Sequence, residues 1–428
     1  MAATPAITPE ITTLPNGLRV LTTSLPTAQA AAVAFFTAIG SRGEQPRTNG
    51  LSHYLEHMMF KGTTERPTAQ LISQAIEGAG GSLNAYTSHE LTCYWNNVPF
   101  EAAQTGISVI ADMMLNSLLA TEEIDRERSV VQQEIRRSHD NPGQWVGELS
   151  SRATFGDQPI GWPVAGSIET VEGLVRADFT DHVTGFYSAA NSVFSVAGNV
   201  EHSAVVETAE RLFRDMPRGQ DNTLPSARHG LPAERLIVEQ RETEQTQIAL
   251  SMHALARRDP DRYALEILHT ILGRGMSSRL FEEVRERRGL AYSVGSRVAR
   301  YQDIGAFGIS AGVTRAQQEE ALTVIVAQLQ RIVGEPVGED ELRRAIDYAA
   351  GSFRLSLETA MSYSQRYGEQ LLQDGVIEAP EETVASLRAV TAADVQRVAA
   401  RVIGPGQYAL AVVGPSASED QLANILGA

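Results

Sequence analysis

The sequence predicts an α+β protein made of two homologous halves, each a mostly antiparallel β-sheet packed with helices. Three observations lead to this fold class. Segments in the first half of the 428 residues recur in the second half, and short apolar strands alternate with amphipathic helices in both halves. A polar segment in the middle of the chain separates the two halves. Helices mixed with short strands in this way typically pack as layers on a sheet.

The repeat is clearest at the end of each half. VFSVAGNVEHSAVVETAERLF, from Val193, resembles ALAVVGPSASEDQLANIL, from Ala409, and each predicts an apolar strand, a glycine turn and an amphipathic helix. The turn glycines, Gly198 and Gly414, are 216 residues apart (414 − 198). HYLEHMMFKG in the first half aligns in the same way with EILHTILGRG, which begins at Glu266. The chain therefore contains two copies of one structural unit.

The strands and helices within each half follow from residue type and spacing. LRVLTTSL and AAAVAFFTAI are predicted strands because they are rich in apolar and β-branched residues. AQLISQAIEGAG and EAAQTGISVIADMML are predicted helices because their apolar residues recur every three or four positions. Residues 215–234 are rich in Pro, Gly, Asn and charge, which is typical of a linker. We therefore expect domains at residues 1–214 and 235–428; one continuous domain is the alternative.

The composition narrows the range of partners and compartments. A net charge of −16 argues against nucleic acid, which needs a basic surface. This charge is compatible with basic peptides, or serves only to keep the protein soluble. The N-terminal residues lack the features of a signal or transit peptide, and no apolar run is long enough to span a membrane. Because Cys93 is the only cysteine, no intrachain disulfide can form. We expect a cytoplasmic protein.

The segment GLSHYLEHMMFKG contains a candidate metal site. His53 and His57 are four residues apart, so on a helix both imidazoles face the same side and can bind one metal ion. Glu56 shares this face and can act on a water molecule at the metal. Two histidines and a carboxylate with one open position suit catalytic zinc. A motif this short also arises by chance, and histidines at this spacing are then ordinary surface or boundary residues.

The second half lacks the polar residues of this segment. Alignment of the two halves places His53, His57, Glu127 and Glu134 opposite Glu266, Thr270, Arg344 and Gly351. Groups needed only for folding would be expected in both halves, so the difference indicates a site in the first half alone. Glu127 and Glu134 are seven residues apart on one helix stripe, where a third ligand can come from. The alternative is a solvated helix face paired with arginines.

Taken together, these segments resemble the inverzincin metallopeptidases, the pitrilysin and insulin-degrading enzyme family. GLSHYLEHMMFKGT, GGSLNAYTSHELTCYW, ERSVVQQEI and RERRGLAYSV occur in the family's order and spacing. The length resembles the short branch that includes the β subunit of mitochondrial processing peptidase and its bacterial relatives. The resemblance implies a zinc endopeptidase with one Zn²⁺ per chain, bound by His53, His57 and Glu134. It also implies Glu56 as the general base and Glu127 as the carboxylate that orients a ligand.

The same resemblance implies where a peptide substrate binds. Family members pair an extended peptide with an edge strand, here NAYTS, although an ordinary strand is the alternative. The implied contact residues of this strand are Asn84, Ala85, Tyr86 and Thr87. Arg285 and Tyr292 would bind the substrate backbone and stabilise the oxyanion. At the two acidic positions of the mitochondrial subunit this chain has Gln144 and Glu148, so only Glu148 is acidic there.

The resemblance also bears on assembly and on the competing hypothesis for function. The short branch needs two chains to enclose a clamshell chamber, and some relatives divide the zinc motif and the Arg–Tyr pair between two subunits. This chain has both, so we expect a homodimer; a heterodimer with a homologous chain is the alternative. Extended or unfolded peptides are the expected substrates, and no nucleic-acid or membrane partner is expected. The competing hypothesis is a non-catalytic structural or peptide-binding subunit of the same fold.

Overall fold

The structure of the protein, a computed structural model, describes residues 7–426 and confirms the α+β fold class. In the first half the elements are β1 (Glu10–Thr13), β2 (Arg19–Ser24), β3 (Ala30–Thr37), α1 (Leu51–Met58), α2 (Ala69–Glu77), β4 (Ser82–Thr87), β5 (Thr92–Pro99), α3 (Ala103–Asn116), α4 (Thr121–Asp140), α5 (Pro142–Phe155), α6 (Ile168–Gly173), α7 (Arg176–Phe186), β6 (Ser192–Gly198) and α8 (His202–Leu212). In the second half they are β7 (Leu236–Glu239), β8 (Thr246–Ala254), α9 (Arg262–Gly273), a π-helical turn (Phe281–Glu286), β9 (Ala291–Arg300), β10 (Gly305–Val313), α10 (Gln318–Gly334), α11 (Glu339–Leu355), α12 (Ala360–Asp374), α13 (Pro380–Arg388), α14 (Ala392–Val402), β11 (Ala409–Val413) and α15 (Glu419–Leu426).

The two sheets have the same strand order. The first runs β1-β2-β6-β3-β5-β4 and the second runs β7-β11-β8-β10-β9, so among the described residues β1 alone has no counterpart. One pair in each sheet, β2–β6 or β7–β11, is parallel, and the other neighbours are antiparallel. The helices also correspond in order, with the π-helical turn in the place of α2. The predicted repeat is therefore confirmed in the topology.

Each half of the chain contributes one helix to the sheet of the other half. The first compact unit comprises the described residues up to Ile135, Pro163–Pro225 and Leu355–Glu381; the second comprises Arg136–Trp162, Ser226–Arg354 and the described residues from Glu382. Helix α12 thus packs on β3 and β6 in the first unit, and α5 packs on β8 and β11 in the second. A single cut between residues 1–214 and 235–428 would leave each unit without one of its helices.

Apolar packing accounts for this exchange. In the first unit, Tyr367 and Leu371 of α12 pack in one cluster with Phe36 of β3. In the second unit, Val146 of α5 packs in one cluster with Val413 of β11. Full burial of an aliphatic or aromatic side chain contributes about 1.5–3 kcal/mol. A sheet face with no helix over it would forfeit several such contributions, so the two exchanged helices are integral to the packing of the two units.

The predicted linker, residues 215–234, lies within a longer stretch, residues 213–235, that contains neither helix nor strand. Part of this stretch is nevertheless anchored, because the Pro225 carbonyl oxygen accepts two hydrogen bonds from the buried guanidinium group of Arg42. As for membranes, residues 7–426 include no helix with both the length and the apolar character needed to cross one.

Candidate metal centre

Helix α1 carries the two histidines, and a buried carboxylate anchors its first turn. Glu44 accepts hydrogen bonds from the backbone N–H groups of Gly50 (2.7 Å) and Ser52 (2.6 Å) and from the side-chain amide of Asn49 (3.1 Å). Burial raises the pKa of Glu44 to about 7, although these hydrogen bonds oppose the increase. Gly50 has a φ of 97°, and a Cβ there would lie 2.6 Å from the carbonyl oxygen of Ala165. Glycine is therefore required where the chain enters α1.

The rest of α1 is oriented by its apolar face. Four residues with the spacing of one helix face are at most 3% exposed, namely Leu51, Tyr54, Leu55 and Met58. Tyr54 also links α1 to α4, because its hydroxyl group donates a hydrogen bond to the backbone carbonyl of Ile124. His53, Glu56 and His57 lie off this apolar face and are partly exposed. The packing of α1 thus presents all three polar side chains on one side.

Three potential ligand atoms converge between α1 and α4. Glu134 Oε2 lies 3.7 Å from His53 Nε2 and 3.4 Å from His57 Nε2, and one donor atom from each residue lies within 4.8 Å of the other two. Two ligands bonded to zinc at about 2.1 Å in a tetrahedral arrangement are about 3.4 Å apart. The donor types and their separations therefore fit a zinc ion. Over residues 7–426, no other group of three His, Cys, Asp or Glu side chains meets this spacing.

The protein environment affects the two histidines differently. Burial, and to a smaller extent the neighbouring His57, lowers the pKa of His53 to about 4. The His53 imidazole is therefore neutral near pH 7, with a nitrogen lone pair that can bind a cation. Burial also acts to lower the pKa of His57, but hydrogen bonds to Glu127 and Glu134 outweigh it and raise that pKa to about 9. The two carboxylates thus stabilise positive charge at this position, on a proton or a metal ion.

Glu127 contacts the Nδ1 side of the His57 ring, and each of its two carboxylate oxygens has a polar partner. Oε1 accepts a hydrogen bond from His57 Nδ1 at 2.9 Å, and Oε2 lies 2.6 Å from Lys61 Nζ. Burial acts to raise the pKa of Glu127, but its contacts with His57 and Lys61 outweigh this effect and lower the pKa below its usual value. A proton on Nδ1 leaves His57 Nε2 available to a metal. Sequence reasoning missed Lys61, although its being the only lysine in the chain was an available signal.

Glu56 is connected to β4, which pairs with β5 on one side and forms an edge of the first sheet. Its Oε2 accepts a hydrogen bond from Thr87 Oγ1 at 2.6 Å. Burial raises the pKa of Glu56, and this hydrogen bond opposes the increase. Elsewhere on β4, Tyr86 donates its hydroxyl proton to a glutamate of α12, and the Asn84 amide oxygen accepts the Ala85 N–H at 2.8 Å. The four predicted contact residues thus lie on a sheet edge that reaches Glu56 through Thr87.

The remaining predicted residues, Arg285, Tyr292 and Glu148, belong to the second unit. The structure brings Arg285 and Tyr292 together: the guanidinium carbon lies 5.2 Å from the centre of the Tyr292 ring and 4.8 Å from that of Phe281. These distances are in the range of cation–π contacts. Tyr292 is 77% exposed, so most of its ring faces solvent. For Glu148 on α5, burial raises the pKa, and the charge of Arg297 opposes the increase.

The fold and the His–His–Glu cluster define a two-unit α+β protein with a candidate metal centre in its first unit. Residues 19–167 match the family model described as insulinase, peptidase family M16, and residues 173–348 match the model described as the peptidase M16 inactive domain. An uncharacterized zinc protease of Streptomyces coelicolor is 38% identical over 94% of this chain and 89% of its own length. The chain belongs to peptidase family M16, which confirms the predicted resemblance to the insulin-degrading enzyme family.

A second relative agrees with this assignment, and two solved structures share the fold. An uncharacterized zinc protease of Mycobacterium leprae is 36% identical over 96% of this chain and 93% of its own length. The crystal structure of a protease from Helicobacter pylori has a TM-score of 0.87 and 23% identity, and covers 96% of this chain and 100% of that chain. A peptidase M16 inactive domain from Pseudomonas fluorescens has a TM-score of 0.89 and 18% identity over 96% of this chain and 99% of that chain. At such identities the two structures support the fold alone.

Proposed function

We propose that this protein is a zinc-dependent endopeptidase that hydrolyses extended or unfolded peptides. The observation that carries the proposal is the convergence of donor atoms from His53, His57 and Glu134, with Glu56 on the same helix as the histidines. Membership of peptidase family M16, and relatives that are named zinc proteases, support it. We expect one zinc ion per chain, because the second unit has no comparable donor group among its described residues.

The protein groups around the site have complementary roles in this proposal. When bound, a zinc ion would supply Lewis-acid chemistry by polarising the scissile carbonyl and lowering the pKa of water. Glu56 would accept a proton from the attacking water and pass it to the leaving amine. Its partly buried carboxylate, whose pKa is raised, is suited to both transfers. Thr87 would keep that carboxylate aligned, and Glu127 would keep His57 in the tautomer that presents Nε2.

The free edge of β4 suits an extended substrate. A peptide that pairs with Asn84–Thr87 would be held by backbone hydrogen bonds, which any sequence can form. Arg285 and Tyr292 would bind the substrate backbone and stabilise the oxyanion inside a clamshell chamber, and Glu148 would offer one acidic contact. A homodimer with sites shared between protomers is the expected assembly, with a heterodimer as the alternative. A cytoplasmic location also remains a prediction.

A matched pair of substitutions tests the proposed function. Glu56→Gln removes the proposed base and keeps its shape, whereas His269→Gln changes the residue 213 positions later (269 − 56), at the corresponding site on α9. We expect the wild-type protein to bind one zinc ion per chain and to cleave mixed peptides until a chelator removes the metal. Glu56→Gln should keep its zinc and lose activity by about 10²–10⁴-fold. His269→Gln should retain both zinc and activity.

Four outcomes would each decide against a part of this proposal. A wild-type protein without zinc, or a fully active Glu56→Gln variant, would exclude the mechanism. Zinc binding without hydrolysis of any peptide would favour the alternative, a non-catalytic structural or peptide-binding subunit. Gel filtration with light scattering addresses the assembly separately, because a fully active monomer would exclude a site shared between protomers.

A further inference from the structure

Lys61 differs from every other basic residue of the chain. The sequence contains 36 lysine and arginine residues, and 35 of them (36 − 1) are arginine. The one lysine follows His57 by four residues, in the turn after α1. Lysine offers a compact ammonium group, and arginine a planar fork of donors, so the two are not equivalent at a polar contact. A single lysine at this position therefore indicates a chemical requirement that arginine does not meet.

The turn that carries Lys61 is anchored by packing on both sides. The preceding residues anchor it, because Met59 is fully buried and Phe60 packs against the core of the first unit. The following residue, Gly62, has a φ of 134°, and a Cβ there would lie 2.6 Å from the carbonyl oxygen of Pro67. This close backbone approach fixes the path of the chain on the other side. The backbone thus delivers the Lys61 side chain to one place beside α4.

The two contacts of Glu127 explain why an ammonium group suits this place. Lys61 Nζ lies 2.6 Å from Oε2, and His57 Nδ1 lies 2.9 Å from Oε1, so each partner takes one oxygen. A guanidinium group commonly pairs with both oxygens of a carboxylate through two parallel hydrogen bonds. Arginine at position 61 would therefore compete with His57 for Oε1. Glu127 is only 6% exposed, so water is a poor substitute for either partner.

We propose that Lys61 is a positioning residue of the metal centre. Its ammonium group holds the Glu127 carboxylate so that Oε1 accepts the Nδ1 proton of His57 and the Nε2 atom of His57 stays directed at the metal. The inference rests on the zinc site of the proposed function and extends it to a residue that acts through Glu127. It assigns to Lys61 an effect on metal affinity that a purely structural ion pair would not have.

The second unit provides a matched control. Arg274 lies 213 residues after Lys61 (274 − 61), at the corresponding position in the chain after the end of α9. It pairs with Glu266 at 2.7 Å, and the other oxygen of Glu266 accepts a hydrogen bond from Arg300 at 2.8 Å. Both partners of this carboxylate are arginines, and it orients no metal-ligating histidine. Arginine is therefore accepted at the position where only an ion pair is needed.

Zinc affinity, measured by competition with a chromophoric chelator, tests the proposal independently of activity. Lys61→Met removes the ammonium group, and Lys61→Arg replaces it with a guanidinium group. We expect both variants to bind zinc about 10-fold more weakly or worse, the usual effect of losing a hydrogen-bond partner of a ligand. Their cobalt-substituted forms should also show an altered visible spectrum. Arg274→Met should bind zinc with wild-type affinity.

The outcomes separate this proposal from the proposed function. Full zinc affinity in Lys61→Met would overturn the positioning role. Loss in Lys61→Met with full affinity in Lys61→Arg would support positioning and overturn the one-oxygen argument. A wild-type protein that binds no zinc would contradict the proposed function instead.

A second measurement does not depend on the folding of a variant. Acetylation of the folded wild-type protein can modify one lysine side chain only, because the chain has no other. We expect the fraction acetylated at Lys61 to show the same loss of zinc affinity with an unchanged circular dichroism spectrum. Acetylation of Lys61 with full retention of affinity would overturn the proposal.

Discussion

In the first unit, α1 presents His53 and His57 to Glu134 of α4, and a Glu134 oxygen lies 3.4 and 3.7 Å from the two imidazole nitrogens. In the second unit, the corresponding helix α9 presents Glu266 and Thr270 instead. The two helices have corresponding positions in the order of elements, and the two sheets have the same strand order. The two units thus share a scaffold. Differences at a few polar positions distinguish the candidate metal centre of the first unit from the corresponding region of the second.

The polar groups of α9 form an ion-pair network. Glu266 lies between Arg274 and Arg300, at 2.7 and 2.8 Å. Burial acts to raise the pKa of Glu266, but the charge and hydrogen bond of Arg300 outweigh this effect and lower it. His269 Nδ1 lies 2.7 Å from Ser296 Oγ on β9. This link from the helix to the edge strand parallels the one between Glu56 and β4 in the first unit.

The difference shows what a cation site requires beyond its scaffold. In the first unit, three donor atoms face one another, and the one ammonium group nearby contacts Glu127, which lies behind His57. In the second unit, two guanidinium groups form ion pairs with Glu266, which aligns with the proposed ligand His53. These groups would repel a cation. Whether an equivalent helix can offer a metal site therefore depends on the donor residues it carries and on where the positive side chains lie relative to them.

The largest expected effect is the loss of zinc affinity when a proposed ligand of the first unit is removed. His57→Ala removes one of three proposed ligands, whereas Thr270→Ala truncates the corresponding residue of α9. Because the loss of a ligand's partner already costs about 10–100-fold in affinity, loss of the ligand itself should lower zinc affinity by at least about 100-fold. Isothermal titration with zinc measures this effect. Equal affinities of the two variants would contradict the assignment of the site to the first unit.

A second prediction concerns acid stability and a buried histidine of α7. Burial lowers the pKa of His182 to about 4, and the corresponding residue of α14, Val398, cannot titrate. Because an unfolded histidine titrates near pH 6.5, the unfolded state binds more protons between pH 6.5 and pH 4. Stability from this group is complete above pH 6.5 and is lost as the pH falls towards 4, by about 3 kcal/mol.

The substitution His182→Val makes the first unit resemble the second at this position. The free energy of unfolding can be measured by urea titration at pH 7 and at pH 4. We expect its decrease between these two pH values to be about 3 kcal/mol smaller in His182→Val than in the wild type. The difference between the two pH values, and not the stability at pH 7, is the quantity to compare. The same acid loss in both proteins would show that His182 does not titrate as expected.

A third pair of substitutions separates an effect on protein stability from an effect on zinc binding. Glu266→Ala leaves two guanidinium groups without their shared carboxylate, so we expect a loss of about 2 kcal/mol of unfolding free energy and no change in zinc affinity. His53→Ala, at the corresponding position, should weaken zinc binding. It should cost the metal-free protein less than about 1 kcal/mol, because His53 Nδ1 finds no hydrogen-bond partner within the described residues. A large loss of zinc affinity in Glu266→Ala would contradict this separation.

The smallest expected effect concerns the links between helix and edge strand. Thr87→Val removes the hydroxyl group that donates to Glu56, and Ser296→Ala removes the one beside His269. A hydrogen bond to a charged group contributes about 1.5 kcal/mol, which corresponds to about a tenfold change in rate. We expect kcat for peptide cleavage to fall about tenfold in Thr87→Val with little change in KM, and to stay constant in Ser296→Ala. A change in KM alone would assign Thr87 to substrate binding.

Much of this site could be predicted because its spacing is local. The four-residue interval between His53 and His57 places both imidazoles on one face of any α-helix. The repeat then singled out the first half, and the family resemblance supplied Glu134. By contrast, the roles of Lys61 and Thr87 depend on contacts with residues 66 and 31 positions away in the chain (127 − 61 and 87 − 56). No periodicity in the sequence reports such contacts.

The exchange of α5 and α12 could not be predicted for a related reason. An apolar stripe shows that a helix packs against something, but two sheets of the same strand order offer equivalent surfaces. The choice between them depends on the three-dimensional path of the chain, which is a property of the assembled structure. The predicted domain limits followed the repeat in the sequence, whereas the compact units also reflect this exchange.

By itself, the sequence determined the fold class, the repeat and the helical spacing of His53 and His57, because strand and helix periodicity are local properties. The tertiary structure decided which donors meet. It placed Glu134 within 3.7 Å of both histidines, gave Glu127 one oxygen for His57 and one for Lys61, and paired Glu266 with two arginines. Such distances arise from the packing of segments remote in the chain, and binding depends on them because electrostatic and hydrogen-bonding interactions weaken steeply with separation.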